Sequence, residues 1–277
     1  MNKRIYTWGG VFADRNYTVD DLRKAKGGEK LVQTTASTFE EAEAVRDANF
    51  DMVLCKSPNI KTVRLGAPKL FLTATIDLSN FPSEKDVLDE AFKAMKDGAD
   101  QVYTARGPHI VEMLAKEEIP VMCHLGLVPR KSGWRGGLRA VGGTAEEALK
   151  LFKDFKTMEN AGAFSAESEV IHEQVMNEIT KRTSLLVSSL GSGWSGDIIY
   201  LFQNDICGEE EKQFRHARAF GNIYSLKQQI KAERISALIA FKNAVLEKNF
   251  PNQKETIKIN NYISDLFFIT KKKHKYI

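Results

Sequence analysis

Glu169 closes the apolar run Phe164–Glu169, and a carboxylate at the end of a buried strand is placed to take a proton from a bound substrate. The competing reading is a surface or N-cap carboxylate that starts the next helix. His124 sits inside Pro-Val-Met-Cys-His-Leu-Gly-Leu, as a catalyst or as a satisfied core histidine. Other strand-end groups are Lys56-Ser57-Pro58, Thr75-Ile76-Asp77, Ala105-Arg106-Gly107, Glu167 and Gly191-Ser192-Gly193. Two glycines around Ser192 permit close backbone approach and anion-binding N–H groups. The loop 128–143 holds Arg130, Lys131, Arg135 and Arg139, five glycines and Trp134. It reads as a clasp for an anionic or planar ligand, or as a flexible connection. No HxH, HxxxH or paired-carboxylate spacing makes a metal site legible.

These groups need a scaffold, and the hydropathy pattern supplies one. Apolar strand segments fall at Leu31–Ala36, Met52–Cys55, Leu70–Ile76, Gln101–Ala105, Pro120–Gly126, Phe164–Glu169 and Leu185–Leu190. Helical spacing follows Thr18 and Thr38 and recurs at Glu84–Lys96, Ile110–Glu117, Ala145–Asn160 and Glu173–Thr183. Short buried strands alternating with amphipathic helices predict a parallel sheet covered by helices. Lys96-Asp-Gly-Ala-Asp100 and Asn160-Ala-Gly-Ala163 each stop a helix at a glycine and lead straight into a strand. Seven strand signals and an unclear eighth favour an α/β fold of the closed (β/α)8 TIM barrel type. In such a barrel the residues at C-terminal strand ends line the site. An open doubly wound sheet is the alternative, weakened by the absence of GxGxxG after the first strand. Residues 1–251 are expected to form the barrel domain, closing on a helix over 224–248 that packs on the barrel or on a neighbouring subunit. Residues 252–277 read as a basic appendage.

The chain has 277 residues, 40 Lys+Arg and 36 Asp+Glu, for a net charge of +4. Lys271, Lys272, Lys273 and Lys275 account for all of that excess, so the body is neutral and a nucleic-acid partner is not expected. Cys55, Cys123 and Cys207 form no CxxC pair, which argues against disulfide scaffolds and four-cysteine zinc sites. The N-terminal segment lacks the apolar core of a secretory signal, and no apolar run of about 18 residues predicts a membrane span. A cytoplasmic location is expected, with no membrane partner.

Several stretches resemble the ketopantoate hydroxymethyltransferase family of the phosphoenolpyruvate mutase/isocitrate lyase superfamily. They are TVDDLRKAKGGEKLV, RLGAP, AFKAMKDGADQV, IPVMCHLGLVPR with its following GG, the helix into NAGAF, LGSG and VLEKNFP, in order between Thr18 and Pro251. The resemblance implies a (β/α)8 barrel that transfers a one-carbon unit from 5,10-methylenetetrahydrofolate to 3-methyl-2-oxobutanoate, in pantothenate and coenzyme A synthesis. It implies a 2-oxo acid chelated to Mg2+, a strand-end glutamate that removes the C3 proton, and a homo-oligomer. Glu169 aligns with that base.

The rest of the implied site departs from the family. Ser57 and Thr75 stand where the family has metal-binding aspartates, with Asp77 two residues on as a possible ligand. Tyr103-Thr104-Ala105-Arg106 replaces Lys-x-Glu-Gly, removing a substrate lysine and a metal-region glutamate. The connection between Pro58 and Arg64 is shortened, without the stretch the family uses for a site loop and a barrel helix. Lys56 and Arg106 are expected to point toward the vacated metal position. There, with His124, Ser57, Thr75 and Tyr103, they would bind a small anionic 2-oxo acid by fixed charge in place of Mg2+. Lys56 could alternatively form a Schiff base. The rival readings are a catalytically silent binding or assembly paralogue, and a superfamily lyase acting on another 2-oxo acid.

Overall fold

The computed structural model describes residues 3–273. An antiparallel hairpin comes first, β1 (Lys3–Tyr6) and β2 (Phe12–Arg15), followed by α1 (Val19–Ala25). Then the strand–helix rhythm begins: β3 (Leu31–Thr35), α2 (Phe39–Asp47), β4 (Met52–Lys56), α3 (Ile60–Gly66), β5 (Phe71–Thr75) and α4 (Glu84–Lys96). It continues through β6 (Gln101–Thr104), α5 (Pro108–Lys116), β7 (Val121–Gly126), α6 (Ala145–Asn160), β8 (Ser165–Glu169), α7 (Glu173–Thr180), β9 (Leu186–Leu190), β10 (Ile198–Tyr200) and α8 (Gln203–Cys207). Strands β3 to β10 are parallel and close a barrel in sequential order, β10 pairing with both β9 and β3. This is the (β/α)8 barrel that the alternation predicts.

Local chemistry starts most of the helices. Thr18 with Asp21, Thr38 with Glu41 and Ser83 with Asp86 each form a reciprocal capping box, satisfying N–H groups that the first turn leaves open. Several elements escaped the sequence reading: the β1–β2 hairpin, α8, the helix Asn261–Lys273, and within the barrel β10 and α3. Strand β10 has three residues and follows Gly-Trp-Ser-Gly, so only its pairing on both sides identifies it. Helix α3 fills the shortened β4–β5 connection, so the barrel keeps a helix there where none was expected. It is admitted by Gly66, where a Cβ would stand 2.5 Å from the Phe39 carbonyl oxygen and 2.8 Å from the Ala42 Cβ.

The barrel interior changes character along its axis. Strand alternation sends every second residue inward. At the N-terminal end Leu31, Met52, Phe71, Leu186 and Ile198 pack with Leu22 and Phe164 into an apolar plug. Above it lie the fully buried Gln33, Thr73, Gln101 and Ser188, with Gln101 Nε2 donating to Ser165 Oγ at 2.7 Å. Toward the C-terminal end the inward residues become Tyr103, His124, Glu167, Glu169 and Tyr200. The larger apolar core lies between strands and helices, around Val53, Leu72, Val102, Leu114, Val121, Phe155 and Val187.

The chain divides into two compact units at Gly221/Asn222. The second contains α9 (Ile223–Leu246) and α10 (Asn261–Lys273), and no residue of α9 is buried. Lys275 of the basic tail lies outside the described residues. Among the described residues no helix is long and apolar enough to cross a membrane.

Candidate active site

Glu169 ends β8, opposite Gly126 of β7 and Leu190 of β9, and the residue is 8% exposed. Gly126 makes this position possible. Its φ is +90°, and a Cβ there would stand 2.3 Å from the Glu169 carbonyl oxygen, which accepts the Leu127 N–H at 2.8 Å. Two residues earlier on the same strand face lies Glu167, 4% exposed and in register with His124. The two carboxylates and the imidazole form one cluster: His124 Nε2 is 3.0 Å from Glu169 Oε2 and 3.6 Å from Glu167 Oε1.

Tyr103 completes the cluster from β6. Its hydroxyl meets His124 Nδ1 and donates to Glu167 Oε1 at 3.3 Å. His124 Nε2 also lies 3.1 Å from the Leu127 carbonyl, an obligate acceptor, so Nε2 carries a hydrogen, and because the single Tyr103 hydrogen goes to Glu167, Nδ1 carries one as well and donates to the Tyr103 oxygen. Burial by itself disfavours an imidazolium, but the carboxylates of Glu167 and Glu169 outweigh it and raise the His124 pKa above its ordinary value. Burial first, and then the Glu169 charge, raise Glu167 against the lowering influence of His124. Burial and the same carboxylates hold the Tyr103 phenol protonated. His124 is therefore both a satisfied interior residue and a member of the titratable cluster.

The other strand-end residues divide sharply. Lys56 is exposed at the end of β4, beside Thr75, with no hydrogen bond or ion pair to any described residue. The Arg106 guanidinium instead turns to the loop after β5 and donates to the carbonyls of Leu78 (3.2 Å) and Phe81. It braces that loop, contrary to the expectation that it points at the vacated metal position. Lys131 bonds the Ala105 carbonyl, and burial together with Arg106 lowers its pKa. Arg130 makes a two-pronged pair with Asp77, at 2.7 and 2.9 Å. Arg139 pairs with Glu147, and Arg135 approaches Asp154 at 3.9 Å. All four basic side chains of loop 128–143 thus have partners within the chain, which leaves little free charge for the expected anion clasp. The Ser192 side chain has a structural partner on each side. Its buried hydroxyl donates to the Ser168 carbonyl at 2.7 Å and accepts from Ile171 N–H at 2.9 Å, locking β8 to β9.

The metal positions implied by the resemblance do not fit a divalent cation. Ser57 and Thr75 contribute only hydroxyls, buried and without a hydrogen-bond partner among the described residues, and Ala105 contributes a methyl. Asp77 lies past the end of β5, where the Ser79 hydroxyl and N–H, and then Arg130, hold its carboxyl down to about 2. Thiol chemistry is also disfavoured, since burial pushes Cys55 and Cys123 up to about 12. Sequence reasoning noted Glu167 as a strand-end acid but gave it no role. The usable signal was its i, i+2 spacing to Glu169 with a histidine on the preceding strand.

The sequence model described as Ketopantoate hydroxymethyltransferase matches residues 57–253. A 3-methyl-2-oxobutanoate hydroxymethyltransferase of Thermotoga neapolitana is 30% identical over 262 residues, covering 85% of this chain and 94% of the relative. One of Ignicoccus hospitalis is 31% identical over 216 residues, covering 68% and 81%. Among solved structures, a phosphonopyruvate hydrolase in complex with oxalate and Mg2+ superposes with a TM-score of 0.50 at 13% identity, covering 94% of this chain and 100% of that one. That likeness supports the fold.

Proposed function

The chain belongs to the ketopantoate hydroxymethyltransferase family, and from that premise we propose that it transfers a one-carbon unit from 5,10-methylenetetrahydrofolate to 3-methyl-2-oxobutanoate or a close 2-oxo acid, with Glu169 as the base. One observation carries the reading: a buried carboxylate ends β8 beside His124 and Glu167, at the residue that the resemblance implies is the family's base. His124 N–H orients that carboxylate through Oε2. Lys56, the strand-end cation without a partner among the described residues, takes the substrate carboxylate. Tyr103 and the hydroxyls of Ser57 and Thr75 line the approach from β6, β4 and β5. The reaction is placed in the cytoplasm, in keeping with three unpaired cysteines, and in a homo-oligomer, in keeping with a 24-residue helix that buries none of its apolar side chains.

The test is deuterium exchange at C3 of 3-methyl-2-oxobutanoate followed by proton NMR, alone and with the folate. Exchange should fall about 10²- to 10⁴-fold in Glu169→Gln, the usual contribution of a general base. Unchanged exchange in that variant refutes the role of Glu169. The missing family acids favour a second reading, a binding or assembly protein that has lost catalysis. Wild-type exchange above the Glu169→Gln background rules it out.

A further inference from the structure

Glu167 and Glu169 are buried side by side, and neither is paired with a lysine or arginine among the described residues. Among the described residues their only cationic neighbour is His124, which offsets one of the two charges. A buried carboxylate without a counter-charge is disfavoured, so this cluster is one negative charge in excess whenever both acids are ionised. Either a proton or a cation must make up the difference.

The donor geometry points to the cation. One ring nitrogen of His124, one oxygen of Glu167 and one of Glu169 all lie within 4.8 Å of one another. From Nε2 the distances are 3.0 Å to Glu169, 3.6 Å to Glu167 and 3.1 Å to the Leu127 carbonyl oxygen. Donors about 2.1 Å from a shared ion stand roughly 3.0–3.4 Å apart at angles near 90–110° and about 4.2 Å apart when opposite, so the Glu167 carboxylate must draw in by a few tenths of an ångström to share an ion with His124 and Glu169. Nδ1, the other ring nitrogen, meets the Tyr103 hydroxyl, which in turn donates to Glu167. Metal-bound histidines are held in this way, by a partner on the ring nitrogen that does not touch the metal.

We propose that His124, Glu167 and Glu169, with the Leu127 carbonyl oxygen, bind a divalent cation on β7 and β8, in place of the vacated positions at the ends of β4, β5 and β6. One nitrogen and three oxygens, two of them anionic, form a hard set that suits Mn2+ or Mg2+ over thiolate-seeking metals. Binding exchanges the Nε2 hydrogen for the ion and neutralises the surplus carboxylate. Glu169 needs only one oxygen for this, and the other stays available for a proton. Glu167 is the residue on which the site depends, because without it a single carboxylate faces a single imidazole and the charges already balance. Tyr103 is a positioning residue, acting on the ion through His124.

The test uses the full-length, chelator-treated chain and Mn2+ alone, with no substrate, so its failure leaves the proposed reaction standing. Free Mn2+ is read by electron paramagnetic resonance and the heat of binding by calorimetry. One Mn2+ per chain should bind at submillimolar concentration and be displaced by Mg2+. Glu167→Gln should weaken binding at least tenfold and Tyr103→Phe about tenfold, the scale of losing an outer partner. Asp77→Asn should bind as wild type does. His124→Asn offers a second removal should Glu167→Gln fail to unfold cooperatively. Absence of Mn2+ binding at millimolar concentration overturns the proposal, as does binding that survives Glu167→Gln or His124→Asn. Loss of binding in Asp77→Asn alone also overturns it, since that result puts the ion on β5.

Discussion

Replacing Asp100 by alanine should unfold the barrel unit at a markedly lower temperature. Asp100 follows α4 and receives three donors: Arg15 Nε at 2.7 Å, Arg64 Nη2 at 2.7 Å and the Leu72 N–H at 2.9 Å. The side chains of Arg15, Arg64 and Asp100 are 3%, 14% and 10% exposed, so solvent cannot take over when the carboxylate is removed. Breaking a buried pair from one side costs about 3–5 kcal/mol, because the remaining charge stays uncompensated. Here the guanidiniums keep several carbonyl partners, Pro68 for Arg15 and Gly98 and Leu70 for Arg64, which places the expected loss at the lower end, about 3 kcal/mol. For a unit of this size each kcal/mol lowers Tm by roughly 2–4 °C, so a fall of about 6–12 °C is expected. Scanning calorimetry of wild type and Asp100→Ala at neutral pH measures it. Repeating the comparison in about 0.5 M salt should leave the difference nearly intact, since buried pairs are poorly screened. A loss below about 1 kcal/mol, or one that disappears in salt, would show that this network behaves as an exposed ion pair and that the burial argument is wrong.

Three further outcomes follow from the same reasoning. Gly126→Ala forces a Cβ to 2.3 Å from the Glu169 carbonyl at a positive φ, and should cost about 1–3 kcal/mol in urea unfolding while also lowering C3 exchange. Gly136→Ala, at an open positive-φ glycine in loop 128–143, should spare the exchange. Burial alone would raise Glu159, but Lys156, Ser184 and Thr183 outweigh it and hold its carboxyl down to about 2. Its folded value lies below the unfolded one, so its contribution, about 3 kcal/mol, is complete above pH 4.5 and is lost as pH falls from there toward 2. Urea midpoints should therefore separate wild type from Glu159→Gln at neutral pH and converge near pH 2. Arg130→Ala breaks a half-exposed pair and should change stability by less than about 1 kcal/mol. Hydrogen exchange by mass spectrometry should nevertheless quicken in residues 129–143, because the two-pronged bond to Asp77 ties that loop across the barrel mouth.

Much of the scaffold can be read locally. A hydroxyl three residues before an acid stands at the starts of α1, α2 and α4, and at all three it forms a capping box, a purely local arrangement. Helices α4 and α6 run over the residues assigned to them from helical spacing alone. Strand β10 was not legible, because three residues carry too little alternation and its place is settled by neighbours on both sides. Arg106 shows the same limit for the site. Its position at a strand end is evident in the chain, but the loop carbonyls of Leu78 and Phe81 that capture its guanidinium are more than twenty residues away.

Sequence by itself therefore determined the barrel, the family and the position of Glu169, since periodicity, caps and aligned motifs are properties of neighbouring residues. The resemblance also implies that Ser57, Thr75 and Ala105 stand where the family has acids. Only the tertiary structure decided which charges remain available. It spends Arg106, Arg130 and Lys131 on the chain's own loops and leaves Lys56 open at the mouth. It also brings His124 of β7 against Glu167 and Glu169 of β8. Those pairings are set by strand register and side-chain reach across the barrel, and electrostatic partnership depends on distance in space, which sequence spacing does not encode.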